Sequence, residues 1–213
     1  MSDKVVADWY FDFISPFSYF ASLRIADLTP RLDIRYRPVL LAAILDHWGQ
    51  KGPAEIPSKR LWTYRWCAWW ATTHGVPFRL PATHPFNPIA YLRLALVADC
   101  SPVAIKKIFE RLWTTGDDPG DPALVAGLAG DLGVDVGSLQ DPVIKQGLRR
   151  ETDEALASGV FGVPTLVTGG HLFWGVEGLD LVETYLDEPG LFESEEMRAA
   201  EAVPVGAARK ISG

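Results

Sequence analysis

The side chain best placed for chemistry is that of Ser15, at the point where a buried strand is predicted to turn into a helix. The apolar run of residues 5–11 predicts the strand, and a helical pattern then continues to about Leu28. At such a junction a serine oxygen meets free backbone N–H groups at the positive end of the helix dipole, which stabilises an anion. Ser15 is therefore a candidate catalytic residue, with an ordinary helix cap as the alternative.

The dipeptide Ser15-Pro16 does not decide between these two interpretations. Four more helices are predicted to start at the same kind of pair, a capping residue followed by proline: Asn87-Pro88, Ser101-Pro102, Asp121-Pro122 and Asp141-Pro142. Because the chain uses this pair repeatedly, the dipeptide alone favours a cap.

A second motif follows about 150 residues later, in the sequence Gly-Val-Phe-Gly-Val-Pro-Thr-Leu-Val at residues 159–167. Proline cannot donate to a strand ladder, so it is restricted to strand starts and edges, and a tight Val-Pro-Thr turn admits a cis bond before Pro164. Such a turn leaves the backbone N–H and C=O of Val163 free to pair with a peptide-like ligand. The alternative is a plain strand entry after a glycine turn.

Eight tryptophans are many for 213 residues, and four of them share one predicted helix that follows Ser58. Their spacing puts all four on one face: Trp62, Trp66, Trp69 and Trp70. We expect this face to be a core stripe rather than a substrate site, although a stripe at the edge of an active cleft would serve both purposes.

The order of the predicted elements indicates an α/β protein with a helical insertion. Strand, helix and strand come first, a long helical block follows, and a hairpin turning at Gly169-Gly170 precedes a last helix. Clefts tend to form where two such parts meet. We predict three parts: a discontinuous α/β domain of residues 1–38 and 159–190, a helical insertion of residues 39–158, and a C-terminal tail of residues 191–213.

Composition argues against several classes of function. The formal net charge of −7, without a basic cluster, argues against nucleic acid as a partner. No apolar run approaches the length of a transmembrane helix, and the start of the chain lacks the apolar stretch of a secretory signal. Cys67 and Cys100 show neither redox nor metal-ligand spacing. We expect a cytoplasmic protein with no disulfide, metal or membrane segment, and with both cysteines buried.

Together the two motifs are far more specific than either alone. The sequences FDFISPFSY at residues 11–19 and GVFGVPT at residues 159–165 resemble the 2-hydroxychromene-2-carboxylate isomerases and kappa-class glutathione transferases. These families form part of the DsbA-like branch of the thioredoxin superfamily, and the similarity runs from about Val5 to Leu186. The resemblance implies a thioredoxin-like core, a mixed sheet flanked by helices, with a large all-helical insertion. It also implies a homodimer.

The resemblance agrees with the chemistry of two serines. Redox members of the superfamily have cysteines at the positions of Ser15 and Ser18. Because serine forms no disulfide and offers no thiolate, dithiol exchange is excluded at this site. The family instead implies glutathione as a cofactor, whose thiolate would accept a hydrogen bond from Ser15 at the helix N-terminus.

The resemblance also implies further contacts at matching positions. The Val163-Pro164 turn would hold the glutathione backbone, and Gln50 would bind the tripeptide from a loop where the family often has asparagine. Lys59 matches a family lysine that can pair with a carboxylate, although a solvated lysine at a helix start explains it equally well. Phe17 and Trp66 are candidate walls for an aromatic substrate.

One stretch departs from the family. Where the family usually has Gly-x-Asp-Arg after the second hairpin strand, this chain has Gly-Val-Glu-Gly at residues 175–178. Glu177 keeps a carboxylate for the ammonium of the γ-glutamyl end, whereas Gly178 lacks the guanidinium that would clamp its carboxylate. The expected consequence is a weaker affinity for glutathione, or a different thiol ligand.

Three functions are compatible with these residues. The first is a glutathione-dependent isomerase of the 2-hydroxychromene-2-carboxylate type in aromatic catabolism, in which the thiolate adds reversibly to a conjugated carbon so that the bond can rotate. The second is a kappa-type glutathione transferase, which releases the conjugate. The third is a non-catalytic thioredoxin-like binding module with the Val163-Pro164 turn as a peptide dock, which the missing arginine at Gly178 favours.

Overall fold

A computed structural model of the chain describes residues 4–207 and contains one sheet. Its strands are β1 (Val5–Phe11), β2 (Leu32–Pro38), β3 (Thr165–Thr168) and β4 (His171–Trp174). In the order β2-β1-β3-β4, the first pair is parallel and the other two pairs are antiparallel. The predicted mixed sheet and the hairpin between β3 and β4 are therefore confirmed.

Helices occupy most of the remaining chain. Within residues 4–207 the α-helices are α1 (Pro16–Arg24), α2 (Leu41–His47), α3 (Pro57–His74), α4 (Ile89–Val97), α5 (Pro102–Thr114), α6 (Pro122–Asp131), α7 (Pro142–Ala157), α8 (Gly178–Asp187) and α9 (Glu195–Glu201). A short 3₁₀ segment, Ile25–Leu28, continues α1 to its predicted end. Residues 39–158, all of them described, contain no strand, as predicted.

Capping side chains explain where several helices begin. Four helices start as predicted, at a side chain that accepts a backbone N–H and is followed by proline: Ser15, Ser101, Asp121 and Asp141. The fifth predicted start is wrong by one residue. Asn87 accepts a hydrogen bond from the N–H of Ile89 at 3.0 Å, but α4 begins at Ile89 and Pro88 occupies the cap position.

The prediction that the tryptophans of α3 form a core stripe is wrong for two of the four. Trp62 and Trp69 are 61% and 59% exposed, whereas Trp66 and Trp70 are half-buried. The buried face of α3 carries smaller residues: Thr63, Cys67 and Ala71. An α-helix turns about 100° per residue, so this face lies roughly 100° away from the middle of the tryptophan arc. Only Trp66 and Trp70, at the edge of the arc nearest to the buried face, reach the core.

Aromatic packing fixes the start of α1 relative to the helical region. Trp9, Phe11 and Phe13 are fully buried, and the ring of Phe109 in α5 lies 4.6–6.3 Å from all three. Each buried aromatic side chain contributes about 1.5–3 kcal/mol through burial. The turn between β1 and α1 is therefore held on a rigid base.

The other global expectations have mixed outcomes. Cys67 is buried as predicted, whereas Cys100 is only half-buried, and burial raises the pKa of both thiols to about 12. Within residues 4–207 no helix is long and apolar enough to cross a membrane, and no cluster of side chains there could hold a metal ion. The predicted division into domains stays a prediction, and residues 208–213 of the predicted tail lie outside the described residues.

Candidate active site

Three turns meet at one edge of the sheet. The parallel strands β1 and β2 both end at this edge. The antiparallel strand β3 begins there, beside the end of β1, and β4 ends there, beside the start of β3. The turns after β1, before β3 and after β4 therefore lie side by side. They carry Ser15, the Val163-Pro164 pair and residues 175–178.

Ser15 caps α1 and still has a proton to donate. Its Oγ accepts a hydrogen bond from the N–H of Ser18 at 3.2 Å, and its C=O accepts one from the N–H of Tyr19 at 3.1 Å. The hydroxyl hydrogen has no acceptor among residues 4–207. Because the cap uses an oxygen lone pair whereas an anion would use the hydroxyl hydrogen, both roles are compatible at this residue. Ser15 is 6% exposed, so only a small part of it can meet a ligand.

A free backbone N–H lies next to this hydroxyl. Pro16 has no N–H, and the N–H of Ser18 is taken by Ser15, so the first available N–H of α1 belongs to Phe17. The first N–H groups of a helix point along its axis and carry its partial positive charge. The start of α1 therefore offers two neighbouring donors to an anion.

Asp12 is a buried carboxyl group in the same turn, and sequence reasoning did not identify it as a site residue. Its Oδ1 accepts a hydrogen bond from the N–H of Ile14 at 3.1 Å, and its Oδ2 accepts one from the N–H of Leu41 at 2.9 Å. It thereby joins the Ser15 turn to the first residue of α2. Burial raises the pKa of Asp12 to about 7, while hydrogen bonds from backbone N–H groups act in the opposite direction.

The side chain of His84 holds the Ser15 turn by a hydrogen bond to the backbone of that turn. Its Nε2 donates to the carbonyl oxygen of Ile14 at 2.8 Å, and the hydroxyl of Tyr64 lies 2.7 Å from its Nδ1. Burial lowers the pKa of His84, and the hydrogen bond to Ile14 partly offsets this. No sequence signal indicated this contact, because it joins positions 70 residues apart.

The Val163-Pro164 turn presents unpaired backbone groups. The peptide bond before Pro164 is cis, as the motif admits. The N–H of Gly175 donates to the carbonyl of Pro164 at 2.9 Å and so attaches this turn to the loop after β4. The N–H and C=O of Val163 have no hydrogen-bond partner in the described part of the chain, which leaves them available to a peptide backbone.

Phe17 and Trp66, the two predicted substrate walls, contact each other with ring centroids 5.3 Å apart. About one turn further along both helices, the rings of Phe20 and Trp70 lie 4.5 Å apart, so α1 and α3 run in the same direction. Because α3 starts more than two turns before Trp66, its first part extends beyond the Ser15 end of α1. The exposed Trp62 lies in that extension.

Gln50 and Lys59 are exposed and lie further out. The loop that carries Gln50 is close to the turn before β3, because the indole N–H of Trp48 donates to the carbonyl of Val160 at 3.0 Å. Lys59 lies seven residues before Trp66, which puts it on nearly the same face of α3, about 10 Å along the axis. Among the described residues, no hydrogen bond joins either side chain to Ser15.

A groove of about 600 Å³ borders the aromatic pair and runs along α1. It is lined by Phe20, Leu23 and Arg24 of α1, by Trp66, Trp70 and His74 of α3, and by Val76, Val176, Glu177 and Asp180. A predicted substrate wall, Trp66, and a predicted glutathione contact, Glu177, thus border the same space. Gly178 is buried beside it, and a Cβ there would lie 3.1 Å from the carbonyl carbon of Phe173.

The same architecture occurs in known proteins. A family model described as the DSBA-like thioredoxin domain matches residues 6–187, which is most of the chain. This chain belongs to the DSBA-like thioredoxin family. The fold class expected from the two motifs is therefore confirmed.

Relatives of this DSBA-like protein fall in the group that its motifs resemble. It is 32% identical over 188 residues to a 2-hydroxychromene-2-carboxylate isomerase of Sphingobium xenophagum, which covers 84% of this chain and 96% of the relative. It is 29% identical over 213 residues to glutathione S-transferase kappa 2 of Caenorhabditis elegans, covering 89% and 95%. A solved structure of a 2-hydroxychromene-2-carboxylate isomerase superposes with a TM-score of 0.75 at 25% identity, covering 93% and 100%.

Proposed function

We propose that this DSBA-like protein is a glutathione-dependent isomerase that acts on a compound of the 2-hydroxychromene-2-carboxylate type. The observation that carries the proposal is the hydroxyl of Ser15, which caps α1 and keeps its own hydrogen free beside a helix N-terminus. The relatives that bear the isomerase name support the reaction type.

The residues around Ser15 fit glutathione. The free N–H and C=O of Val163 match the two backbone groups of a cysteinyl residue, and Pro164 keeps them in a fixed turn. The exposed side chains of Lys59 and Glu177 make no ion pair with the described part of the chain, so their charges are available to the charged ends of a tripeptide. Gln50 adds a neutral amide from the loop after α2.

When bound, glutathione supplies a thiolate that adds reversibly to a conjugated carbon of the substrate and leaves unchanged. The Ser15 hydroxyl donates its hydrogen to the sulfur and so favours its ionised form. The N–H of Phe17 adds a second donor at the positive end of the helix dipole. A hydrogen bond to a charged group contributes about 1.5–3 kcal/mol, so Ser15 lowers the thiol pKa by roughly one to two units.

The aromatic residues beside Ser15 suit an aromatic substrate. Phe17 and Trp66 offer adjoining ring surfaces, and Trp62 continues them into solvent. Packing between aromatic rings contributes about 0.5–1.5 kcal/mol per pair beyond the burial of area. These residues orient the substrate and shield the reacting carbon from water.

The test is an isomerisation assay with purified protein and 2-hydroxychromene-2-carboxylate, run with and without glutathione. We expect turnover that depends on glutathione. Conjugation of a halonitroarene without any isomerisation would contradict the proposal and favour a kappa-type transferase, which the Caenorhabditis relative supports as the second candidate. If calorimetry detects no glutathione binding at millimolar ligand, both enzyme proposals fail and the non-catalytic binding module remains.

The same proposal includes a cytoplasmic homodimer in aromatic catabolism, with neither nucleic acid nor a membrane as a partner. The family resemblance supports the dimer and the pathway, and the net charge of −7 supports the lack of a nucleic-acid partner. Light scattering on the purified protein measures its mass. Twice the mass of the chain supports the dimer, and the mass of one chain contradicts it.

A further inference from the structure

The groove along α1 ends in two opposite charges that lie close together. Arg24, the last residue of α1, and Glu177, at the start of α8, both line it. The Nη1 of Arg24 lies 3.4 Å from the carbonyl oxygen of Val176, the residue directly before Glu177. The guanidinium therefore lies against the same loop that carries the carboxylate.

Arg24 keeps hydrogen-bond donors for a ligand. A guanidinium has five N–H donors, and this one directs Nη1 to Val176 and Nη2 to the carboxylate of Asp180. Glu183 lies further away, at 3.8 Å. Within residues 4–207, three of the five N–H groups have no acceptor, so the guanidinium can accept a further carboxylate.

Glu177 offers the complementary charge. Its side chain is exposed and forms no ion pair with the described part of the chain. The carboxylate folds back over Gly175, since a Cβ built there would lie 2.9–3.0 Å from its atoms. The N–H of Gly175 bonds to the carbonyl of Pro164, so this carboxylate lies over the loop attached to the Val163-Pro164 turn.

Position 178 cannot readily supply the missing positive charge. A Cβ there would lie 3.1 Å from the carbonyl carbon and 3.4 Å from the carbonyl oxygen of Phe173, and strand backbone does not move aside easily. In the first turn of α8 the N–H groups of Leu179 and Asp180 donate to the carbonyls of Val176 and Glu177, so that of Gly178 is the one left available at this point. The guanidinium instead reaches this loop from α1.

We propose that Arg24 and Glu177 bind the amino-acid end of a γ-glutamyl thiol, Arg24 its α-carboxylate and Glu177 its α-ammonium. This inference rests on the proposed function, because Ser15 holds the thiol of the same ligand. Nη1 of Arg24 lies 3.4 Å from the carbonyl oxygen of Val176, and the N–H of the preceding Gly175 donates to the Pro164 carbonyl at 2.9 Å. The guanidinium therefore lies within roughly 13 Å of that carbonyl, about four extended residues. A cysteinyl residue at Val163 and a γ-glutamyl residue beyond it span such a distance.

The neighbouring carboxylates do not prevent this role. The side chain of Arg24 is 32% exposed and that of Asp180 is 67% exposed, so water screens this ion pair and leaves it weak. A ligand carboxylate that also meets the start of α8 can share the guanidinium. Arg24 thereby supplies from α1 the charge that Gly178 lacks, which offsets the expected loss of affinity.

The test is calorimetry with glutathione and two analogues. One analogue, γ-aminobutyryl-cysteinyl-glycine, lacks the α-carboxylate, and the other, glutaryl-cysteinyl-glycine, lacks the α-amine. We expect Arg24→Gln to weaken glutathione binding roughly two- to fivefold, the range for an ion pair at this exposure, and to leave the carboxylate-free analogue unaffected. Glu177→Gln is expected to weaken glutathione and to leave the amine-free analogue unaffected. Arg24→Lys is expected to lie in between, because lysine keeps the charge without the bidentate geometry.

Two controls separate ligand binding from structural effects. Arg31 also pairs with an aspartate of α8, Asp187, at 2.9 Å, so Arg31→Gln removes a comparable ion pair and is expected to leave glutathione binding unchanged. Asp180→Asn breaks the Arg24 pair but keeps the guanidinium, and is expected to bind glutathione at least as tightly as the wild type.

The inference is overturned if Arg24→Gln binds glutathione as tightly as the wild type does. It is also overturned if Arg24→Gln weakens the binding of glutathione and of the carboxylate-free analogue equally. A third contradicting result is a loss of glutathione affinity in Asp180→Asn as large as that in Arg24→Gln. They differ from failure of the proposed function, in which the wild type binds neither glutathione nor either analogue. If the melting temperature of Arg24→Gln is well below that of Arg31→Gln, the Arg24→Lys variant replaces it in the test. Its affinities for glutathione and for the carboxylate-free analogue are then compared with those of the wild type.

Discussion

Ser15 and Ser101 begin two helices with nearly the same local geometry. In each case the serine N–H donates at 3.1 Å to the carbonyl three residues earlier, and the serine carbonyl accepts from the N–H four residues later, at 3.1 Å for Ser15 and 3.0 Å for Ser101. Each Oγ accepts from the N–H three residues later, at 3.2 Å for Ser15 and 3.4 Å for Ser101. As helix caps the two serines are equivalent.

Their surroundings differ. Ser15 follows a strand, at the sheet edge where the Val163-Pro164 turn presents unpaired backbone groups, and the buried carboxyl of Asp12 belongs to its turn. Ser101 connects two helices through the left-handed residues Asp99 and Cys100. The comparison teaches that a cap becomes a candidate anion site only where a second set of free backbone groups meets it.

The largest expected difference between the helix starts at Ser15 and Ser101 is that Asp12, in the Ser15 turn, makes the free energy of unfolding depend on pH. Burial raises its pKa from 3.8 to about 7, so between these pH values the folded state keeps a proton that the unfolded state releases. The stability it provides is complete below pH 3.8 and is lost as pH rises through 7, by up to about 4 kcal/mol. Denaturant unfolding of the wild type and Asp12→Asn between pH 4 and 8 measures this. We expect the stability of the wild type relative to the variant to fall across that range.

The equivalent residue before Ser101 is Ala98, whose carbonyl accepts the N–H of Ser101. Ala98→Asn is therefore the matched control, and its stability relative to the wild type is expected to change little over the same range. If the difference between the wild type and Asp12→Asn also stays constant, the Asp12 carboxyl is not protonated near neutral pH in the folded protein.

The next largest difference concerns activity. Ser15→Ala removes the hydrogen bond to the sulfur, and a loss of about 1.5–3 kcal/mol lowers kcat/KM roughly 10- to 150-fold. Ser101→Ala removes an equivalent cap far from the proposed site and is expected to leave kcat/KM within twofold of the wild type. Steady-state isomerisation at saturating glutathione measures both. Equal activity of the two variants would reduce Ser15 to a helix cap.

The smallest expected effect is on stability, where the two serines are alike. Either serine to alanine removes one cap and costs about 1 kcal/mol in the free energy of unfolding. Urea unfolding of both variants at pH 7 checks this, and we expect the two losses to agree within about half a kcal/mol. A loss confined to Ser101→Ala would mean that the Oγ of Ser15 does not cap α1.

The sequence was sufficient for features that depend on neighbouring residues. Capping residues and prolines act within one turn, so the starts of α1, α5, α6 and α7 could be predicted. The two motifs led to the mixed sheet and the DSBA-like fold, because both are local sequences that the family shares. Ser15 and the Val163-Pro164 turn were identified for the same reason.

The contacts that complete the site could not be predicted, because they join distant positions. Asp12 meets Leu41 across 29 residues, His84 meets Ile14 across 70, and Arg24 meets Val176 across 152. The prediction that the tryptophans of α3 form a core stripe failed for another reason. Their spacing revealed a shared face, but spacing does not say which face meets the core, and here the core takes smaller side chains.

The most direct test of the account is the ionisation of a thiol bound at Ser15. Thiolate absorbance is followed as pH rises, for glutathione bound to the wild type, Ser15→Ala and Ser101→Ala. Burial raises the pKa of Cys67 and Cys100 to about 12, so the protein's own thiols contribute little signal at neutral pH.

We predict that the bound thiol ionises at least one pH unit below a free thiol, whose pKa is about 8.5, in the wild type and in Ser101→Ala. In Ser15→Ala the pKa of the bound thiol is expected to rise by roughly one to two units, toward that of the free thiol. A thiol that ionises at the free value in the wild type, or at the same pH in the wild type and Ser15→Ala, would contradict the account.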